Sequence, residues 1–173
     1  MRLLLFIAAL GLGAAVSLGL GNAATAADLW QGRTAAFFGV TYLDTSLEGE
    51  INGPRADETA RTALVQTILA DALEAHGLTL LDLAPVAEKL ARIANPADCY
   101  GCEVRMAAEL GATYSVVSEV QKVSNLIQSM NVVVRDAASG AVVRALAVDL
   151  RGNTDEAWSR AMRYILKNGI FKE

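Results

Sequence analysis

The chain is 173 residues long, 53% hydrophobic, and carries a formal net charge of -4. That length suits one domain, since compact domains commonly hold about 100–200 residues, and a single core is expected. A mildly acidic chain without a Lys/Arg cluster has no electrostatic means of gripping phosphate backbones, so no nucleic-acid partner is expected.

The apolar excess is concentrated at the start. Arg2 precedes the run Leu3–Leu20, and the small residues Asn22–Ala27 contain Ala24-Thr25-Ala26, the A-x-A pattern that a signal peptidase site requires. Residues 1–27 therefore read as a cleavable signal peptide cut after Ala26 or Ala27, and 28–173 as a single periplasmic α/β domain. The competing reading is an uncleaved anchor, because the apolar run is nearly long enough to span a bilayer. No cysteine stands near the exit to take a lipid, and no later run is long and apolar enough to cross a membrane. Cleavage removes Arg2 and no acid, which moves the net charge from -4 to one unit lower.

Thr34–Leu43 is a β-branched and aromatic run that predicts the first strand, ended by Asp44. The polar, glycine-punctuated residues Thr45–Arg55 read as a loop. Asp57 is the expected N-cap of the next helix, with Glu58 in its first turn, where negative charge suits the helix dipole. Leu64, Val65, Ile68, Leu69, Ala72 and Leu73 recur at the helical period, so the helix is expected to run to His76 and stop at Gly77. Leu78–Leu83 gives a short second strand, and a strand-helix-strand passage of this kind favours a parallel pair. Pro85 opens a second helix, Val86–Ile93, which ends ahead of Asn95-Pro96. Asn95–Cys102 is a loop, and a third helix over Glu103–Leu110 ends at Gly111.

From Leu110 to Leu150 three Val-rich runs predict an antiparallel meander. Asp136–Gly140 supplies a hairpin turn with glycine where positive φ is needed. Within Ser129–Asp136, Met130, Val132 and Val134 alternate with Asn131, Val133 and Arg135, so one face packs and the other is partly wet. Asn153, with Glu156 three residues on, forms a predicted capping box for a last helix. That helix buries Trp158, Ala161, Met162, Ile165 and Leu166 and stops at Gly169. The fold class is α/β with a five-stranded mixed sheet and packed helices, in the order β-α-β-α-α-β-β-β-α.

Chemistry is sparse. Cys99-Tyr100-Gly101-Cys102 has the spacing of redox pairs, and the helix start after it favours a thiolate. The pair follows a Pro-containing loop and not a strand, so in an oxidising compartment it reads first as a structural disulfide. Residue Glu103 breaks the haem-attachment pattern, and a zinc site lacks further ligands. Asp44, Glu48, Glu50, Asn52, Asp57 and Glu58 gather oxygen donors near a strand end, with Asp44, Glu48 and Glu50 as candidate cation ligands. Their spacing does not fit the calcium-loop pattern, and solvated charges with helix capping explain them as well. His76 is the only histidine and sits where a helix C-terminal dipole holds it, which leaves Ser/His or Cys/His hydrolysis poorly provided. Trp158 and Tyr164 read as core and rim of the last helix, and Trp30 as part of a mobile N-terminal segment.

Four stretches carry a likeness: Leu43–Glu58, Cys99–Cys102, Val120–Ile127 and Arg151–Trp158. They resemble the secreted bacterial proteins of the domain-of-unknown-function family 2380, also numbered 3280, and the resemblance implies export. Leu110–Val117 followed by Val134–Val142 is similar to the N-terminal α/β domain of TolB, which implies a mixed sheet with helices packed on it. The leading expectation is a non-enzymatic binding or envelope-assembly module whose partner is another envelope protein and which needs no cofactor. Its candidate surface is Asp44, Glu48, Glu50, Asn52, Arg55 and Asp57 together with Arg151, Asn153, Asp155 and Trp158. The alternatives are a thiol-disulfide oxidoreductase using Cys99 and Cys102, and a cation-binding protein using loop 44–58.

Overall fold

Residues 29–172 are described by a computed structural model of the chain, and the leader expected over 1–27 lies outside them. Five strands, β1 (Thr34–Asp44), β2 (Thr79–Leu80), β3 (Tyr114–Lys122), β4 (Gln128–Asp136) and β5 (Val142–Leu150), form one sheet. Their order across it is β2-β1-β3-β4-β5. β1 runs parallel to both neighbours, and β3, β4 and β5 form the expected antiparallel meander. The helices are α1 (Leu47–Asn52), α2 (Ala56–Ala75), α3 (Ala87–Leu90), α4 (Cys102–Glu109) and α5 (Asp155–Ile165). The architecture is thus the predicted α+β mixed sheet, with one short helix added.

Side-chain alternation explains the two layers on the sheet. Met130, Val132 and Val134 are fully buried on one face of β4, while Asn131, Val133 and Arg135 are half-buried on the other. On the first face lie α2 and α5, which contribute Val65, Leu69, Leu73, Trp158, Met162 and Ile165 to one continuous core. Each such side chain contributes about 1.5–3 kcal/mol by leaving water. The opposite face is covered more thinly by Val86 together with Met106 and Ala107 of α4, against Ala36, Phe38 and Val117.

Glycine is needed at two points of the sheet. In β1, Gly39 has φ +86° where the register with β3 slips between Phe37 and Val40, and the Val40 N–H donates instead to Gln66 Oε1 of α2 at 3.2 Å. At the hairpin, Gly140 has φ +73° and its N–H closes the turn onto Asp136 O at 2.8 Å.

Several expectations are corrected. Thr45–Arg55 is not all loop: Ser46 caps α1 by accepting from Gly49 N at 3.1 Å, with Glu48 and Glu50 in the first turn. The N-cap position of α2 is Arg55, not Asp57, which lies inside the first turn and pairs with arginines. Thr154, not Asn153, caps α5 by accepting from Ala157 N at 3.2 Å. The second strand shrinks to Thr79–Leu80, and the second helix to a 3₁₀ turn at Ala84–Val86 leading into α3. Leu64 is half-exposed, because the buried stripe of α2 runs through Glu58, Arg61, Val65, Leu69 and Leu73 instead. Gly169 does not end the last helix. It sits inside a π-turn, Leu166–Ile170, pressed against Leu146 of β5. Trp30 is core rather than mobile, 2% exposed and edge-on to Tyr114 and Phe171.

Candidate functional site

At the pole of the sheet where β1 and β3 end, a lysine stands among carboxylates. Lys122 is fully buried, and its Nζ lies 2.7 Å from Glu58 Oε1, 3.2 Å from Glu48 and 3.3 Å from Asp44. Each partner comes from a different element: Asp44 from the end of β1, Glu48 from α1, and Glu58 from the first turn of α2. Thr45 ties the backbone across the same point, donating from both N and Oγ1 to Lys122 O at 2.8 and 3.0 Å. Burial alone would lower the lysine's pKa, but hydrogen bonds to Glu58, Glu48 and Asp44 outweigh it and hold the ammonium above its ordinary value.

A second cation extends the network. Arg61, 6% exposed, donates to Asp155 Oδ1 at 2.8 Å, Asn153 Oδ1 at 2.6 Å and Asp57 Oδ2 at 3.0 Å, and lies 5.8 Å from the centroid of the Trp158 ring. Asn153 Nδ2 donates to Glu58 Oε1, the oxygen that Lys122 holds, so the two centres share one carboxylate. Asn125, in the β3–β4 turn, donates to Glu48 at 2.9 Å. Arg55 bridges Glu48 and Asp57 from outside. Trp158 Nε1 donates to Gln128 Oε1 at 3.1 Å, both buried, which pins α5 to the start of β4.

These contacts set the protonation states. The Asp44 carboxyl is pushed up by burial but pulled further down by Ser46 and Lys122, leaving it below the usual range. Glu48 is lowered by Lys122 and then by Asn125, and Asp57 lies far below the usual range through Arg55 and Arg61. The Tyr42 hydroxyl is raised well above the usual phenol range by burial and by the neighbouring Glu58. Tyr42 OH and Glu58 Oε2 are both buried without a bonded partner.

Three of the four stretches that carry the sequence likeness therefore meet in space: 43–58, 120–127 and 151–158. Asp44, Glu48, Arg55, Asp57, Asn153, Asp155 and Trp158 are brought together there. Glu50 and Asn52 stand exposed on α1 and join none of these bonds, and Arg151 is exposed on the turn beyond β5. Sequence reasoning missed Lys122, Arg61 and Asn125. For Arg61 a signal was present, since a charge in phase with Val65, Leu69 and Leu73 has to be met by buried partners.

The remaining stretch lies elsewhere. Cys99 and Cys102 form a disulfide across a turn in which Tyr100 takes φ +56° and its ring is 96% exposed. Glu103, 5% exposed, sets a carboxylate oxygen 3.2 Å from Cys99 Sγ and faces Arg135 at 3.5 Å. Among the described residues, Cys99, Cys102 and Glu103 are the one group of three with metal-ligand spacing. His76 Nδ1 contacts Ala72 O at 2.7 Å, in keeping with the expected helix-end role, and its ring stacks on Phe171. No helix among the described residues is long and apolar enough to cross a membrane.

Comparison with solved structures finds low-identity likenesses. The chain is similar to the LpoB C-terminal domain from Salmonella enterica, with 18% identity over 70% of this chain and 84% of that one and a TM-score of 0.47. It is similar to lipoprotein GNA1162 from Neisseria meningitidis, with 18% identity, 71% and 83% coverage and a TM-score of 0.46. For the PelC dodecamer from Paraburkholderia phytofirmans the figures are 13%, 79%, 86% and 0.41. No curated protein sequence matches. Residues 33–170, which take in every strand and helix named above, match the family described as "Protein of unknown function (DUF2380)", and the chain belongs to that family, also designated DUF3280.

Proposed function

We propose that this is a non-enzymatic protein of the bacterial periplasm, exported by its leader, that works by binding another envelope protein at the pole built around Lys122. The observation that carries the reading is a closed ion network set beside exposed apolar side chains. Leu47 and Ile51, one turn apart on α1, are 70% and 72% exposed, and Leu126 and Ile127 in the β3–β4 turn are 79% and 63% exposed. The Asn125–Glu48 bond joins these two segments, so the apolar side chains belong to one end of the sheet and are not scattered singly. Glu50, Asp57 and Asp155 rim it with exposed carboxylates. A partner that presents apolar side chains with a basic margin complements that surface.

The same network argues against catalysis. General acids and bases work when their pKa values lie near the operating pH, whereas Lys122 is held protonated and Asp44, Glu48 and Asp57 are held ionised. A cation-binding role for loop 44–58 competes with Lys122, whose ammonium already lies against Asp44 and Glu48. A redox role for Cys99 and Cys102 gains from the start of α4 but meets the Glu103 carboxylate beside Cys99 Sγ, which repels a thiolate.

The test places a photo-crosslinking residue at Leu47, at Leu126 and, as a control, at exposed Glu88 on α3, in cells with their native envelope. The expected result is one protein crosslinked from the first two positions and not from Glu88, through a peptide rich in apolar and basic residues. Binding of that purified partner is expected to weaken at least about tenfold with Leu126→Asp, at unchanged melting temperature. Equal capture from Glu88, or binding indifferent to Leu126→Asp, refutes the reading.

A further inference from the structure

At the margin of that pole, the free side of β5 offers a second surface, lined by residues outside the ion network. β5 is the last strand of the sheet, so alternate backbone N–H and C=O groups along it face away from β4. Proteins usually blunt such an edge with a proline, a bulge or a cover. Here the register with β4 is unbroken from Arg144 to Leu150, the one slip lies ahead of Arg144, and the strand contains no proline. The π-turn packs on the face of the sheet at the middle of β5, where Gly169 presses on Leu146. Past that point a groove of about 630 Å³ opens between the edge at Val148–Leu150 and α5. On the helix side its floor is made of Ala157 and Ala161, one turn apart, whose small side chains leave the room. Two cations, Arg151 and Arg160, stand over it against one carboxylate, Asp149. Arg160 has only a largely exposed contact with Glu156 at 3.5 Å, and Arg151 has no ion pair among the described residues.

We infer that the groove between the β5 edge and α5 binds an extended segment of another protein, which adds to the sheet as a sixth strand and carries an acidic side chain toward Arg151 and Arg160. Backbone pairing along the edge supplies the register, and alternate side chains of the added strand reach down to Ala157 and Ala161. The two arginines select the acid by charge and fork geometry. The inference does not depend on the reading of the Lys122 pole, because none of the groove residues belongs to that ion network.

The probe is a random eight-residue peptide library displayed on phage and panned on the purified protein, with the selected peptides then measured by fluorescence anisotropy. Selected sequences are expected to alternate apolar with polar residues and to carry one Asp or Glu. Ala161→Trp, which fills the groove, is expected to weaken binding at least about tenfold, and so is R151E/R160E, whose exposed positions leave folding intact. A peptide with Lys in place of the acid is expected to regain binding on R151E/R160E. Leu126→Asp, which strikes the other surface, is expected to leave peptide affinity unchanged. The inference is overturned if no peptide is enriched, if the enriched peptides lack an acid, or if affinity survives both groove variants. A dimer that Ala161→Trp dissociates also overturns it, by naming a second copy of the chain as the occupant.

Discussion

Replacing Lys122 with Met is the sharpest perturbation of the Lys122 pole. The substitution keeps the stem's apolar volume and removes the ammonium, so Glu58, 1% exposed in its side chain, loses the charge 2.7 Å from its carboxylate. Asp44 and Glu48, at 16% and 31% exposure, lose a partner too but remain within reach of water. Stranding one member of a buried pair costs about 3–5 kcal/mol. Whole domains are stable by only about 5–15 kcal/mol, and at about 2–4 °C per kcal/mol the melting temperature falls by about 6–20 °C. Thermal unfolding followed by circular dichroism at pH 7 reads this directly. The double variant K122M/E58L removes the stranded charge as well and is expected to recover much of the loss, since a buried pair exchanged for apolar groups is often neutral. A loss below about 1 kcal/mol for Lys122→Met, or a double variant no better than the single, refutes the account of a buried charge that needs its partner.

The other expectations concern pH, capping, packing and metal. Asp44, Glu48 and Asp57 are held below the usual carboxylate range, so the unfolded chain takes up protons first as pH falls; their stabilisation is complete above about pH 4.5 and is lost through their lower folded values. Lys122, held above its ordinary value, contributes fully below about pH 10 and loses that contribution as pH rises further. Urea midpoints measured from pH 7 to 2 are expected to fall less steeply in Lys122→Met than in the parent, and parallel curves contradict this. Thr154→Ala is expected to cost about 1 kcal/mol and Glu156→Ala less than about 0.5 kcal/mol, the reverse of what a cap at Asn153 with Glu156 requires. Gly169→Ala puts a Cβ 2.5 Å from that of Leu146 and is expected to cost about 1–3 kcal/mol in urea unfolding. Millimolar calcium is expected to leave the melting temperature unchanged, and a rise abolished by Asp44→Ala returns the cation reading to favour.

Local patterns made most of the sheet legible from sequence. The alternation of Met130, Val132 and Val134, the hairpin glycine Gly140 and the stop at Gly77 each depend on residues close in the chain, and each stands as expected. What escaped depends on distance. Lys122 meets Asp44, Glu48 and Glu58 from 64 to 78 residues away, and nothing local marks one lysine at a strand end as buried. The acidic loop was visible while the cation it surrounds was not. α1 escaped because two glycines in Leu47–Pro54 imitate a loop, although Ser46 followed by Glu48 and Glu50 spells a helix start. Trp30 reads from sequence as part of a loose end because its contacts, Tyr114 and Phe171, lie far along the chain. Of the candidate surface, the acids near Asp44 and the turn at Asn153 lie together in the structure, while Arg151 stands beside β5.

The packing of Trp30 against Phe171 sets a direction for the whole molecule. β1 leaves that contact at Thr34 and arrives at the lysine cluster with Asp44, and the ten steps between its first and last residues, at about 3.3 Å each, separate the two poles by roughly 33 Å. Trp30 and Phe171 thus share one hemisphere and Leu47, Ile51 and Leu126 occupy the other. A fluorophore or a tether attached to exposed Lys172, next to Phe171, is carried on the rear of the particle, with the Lys122 pole facing forward.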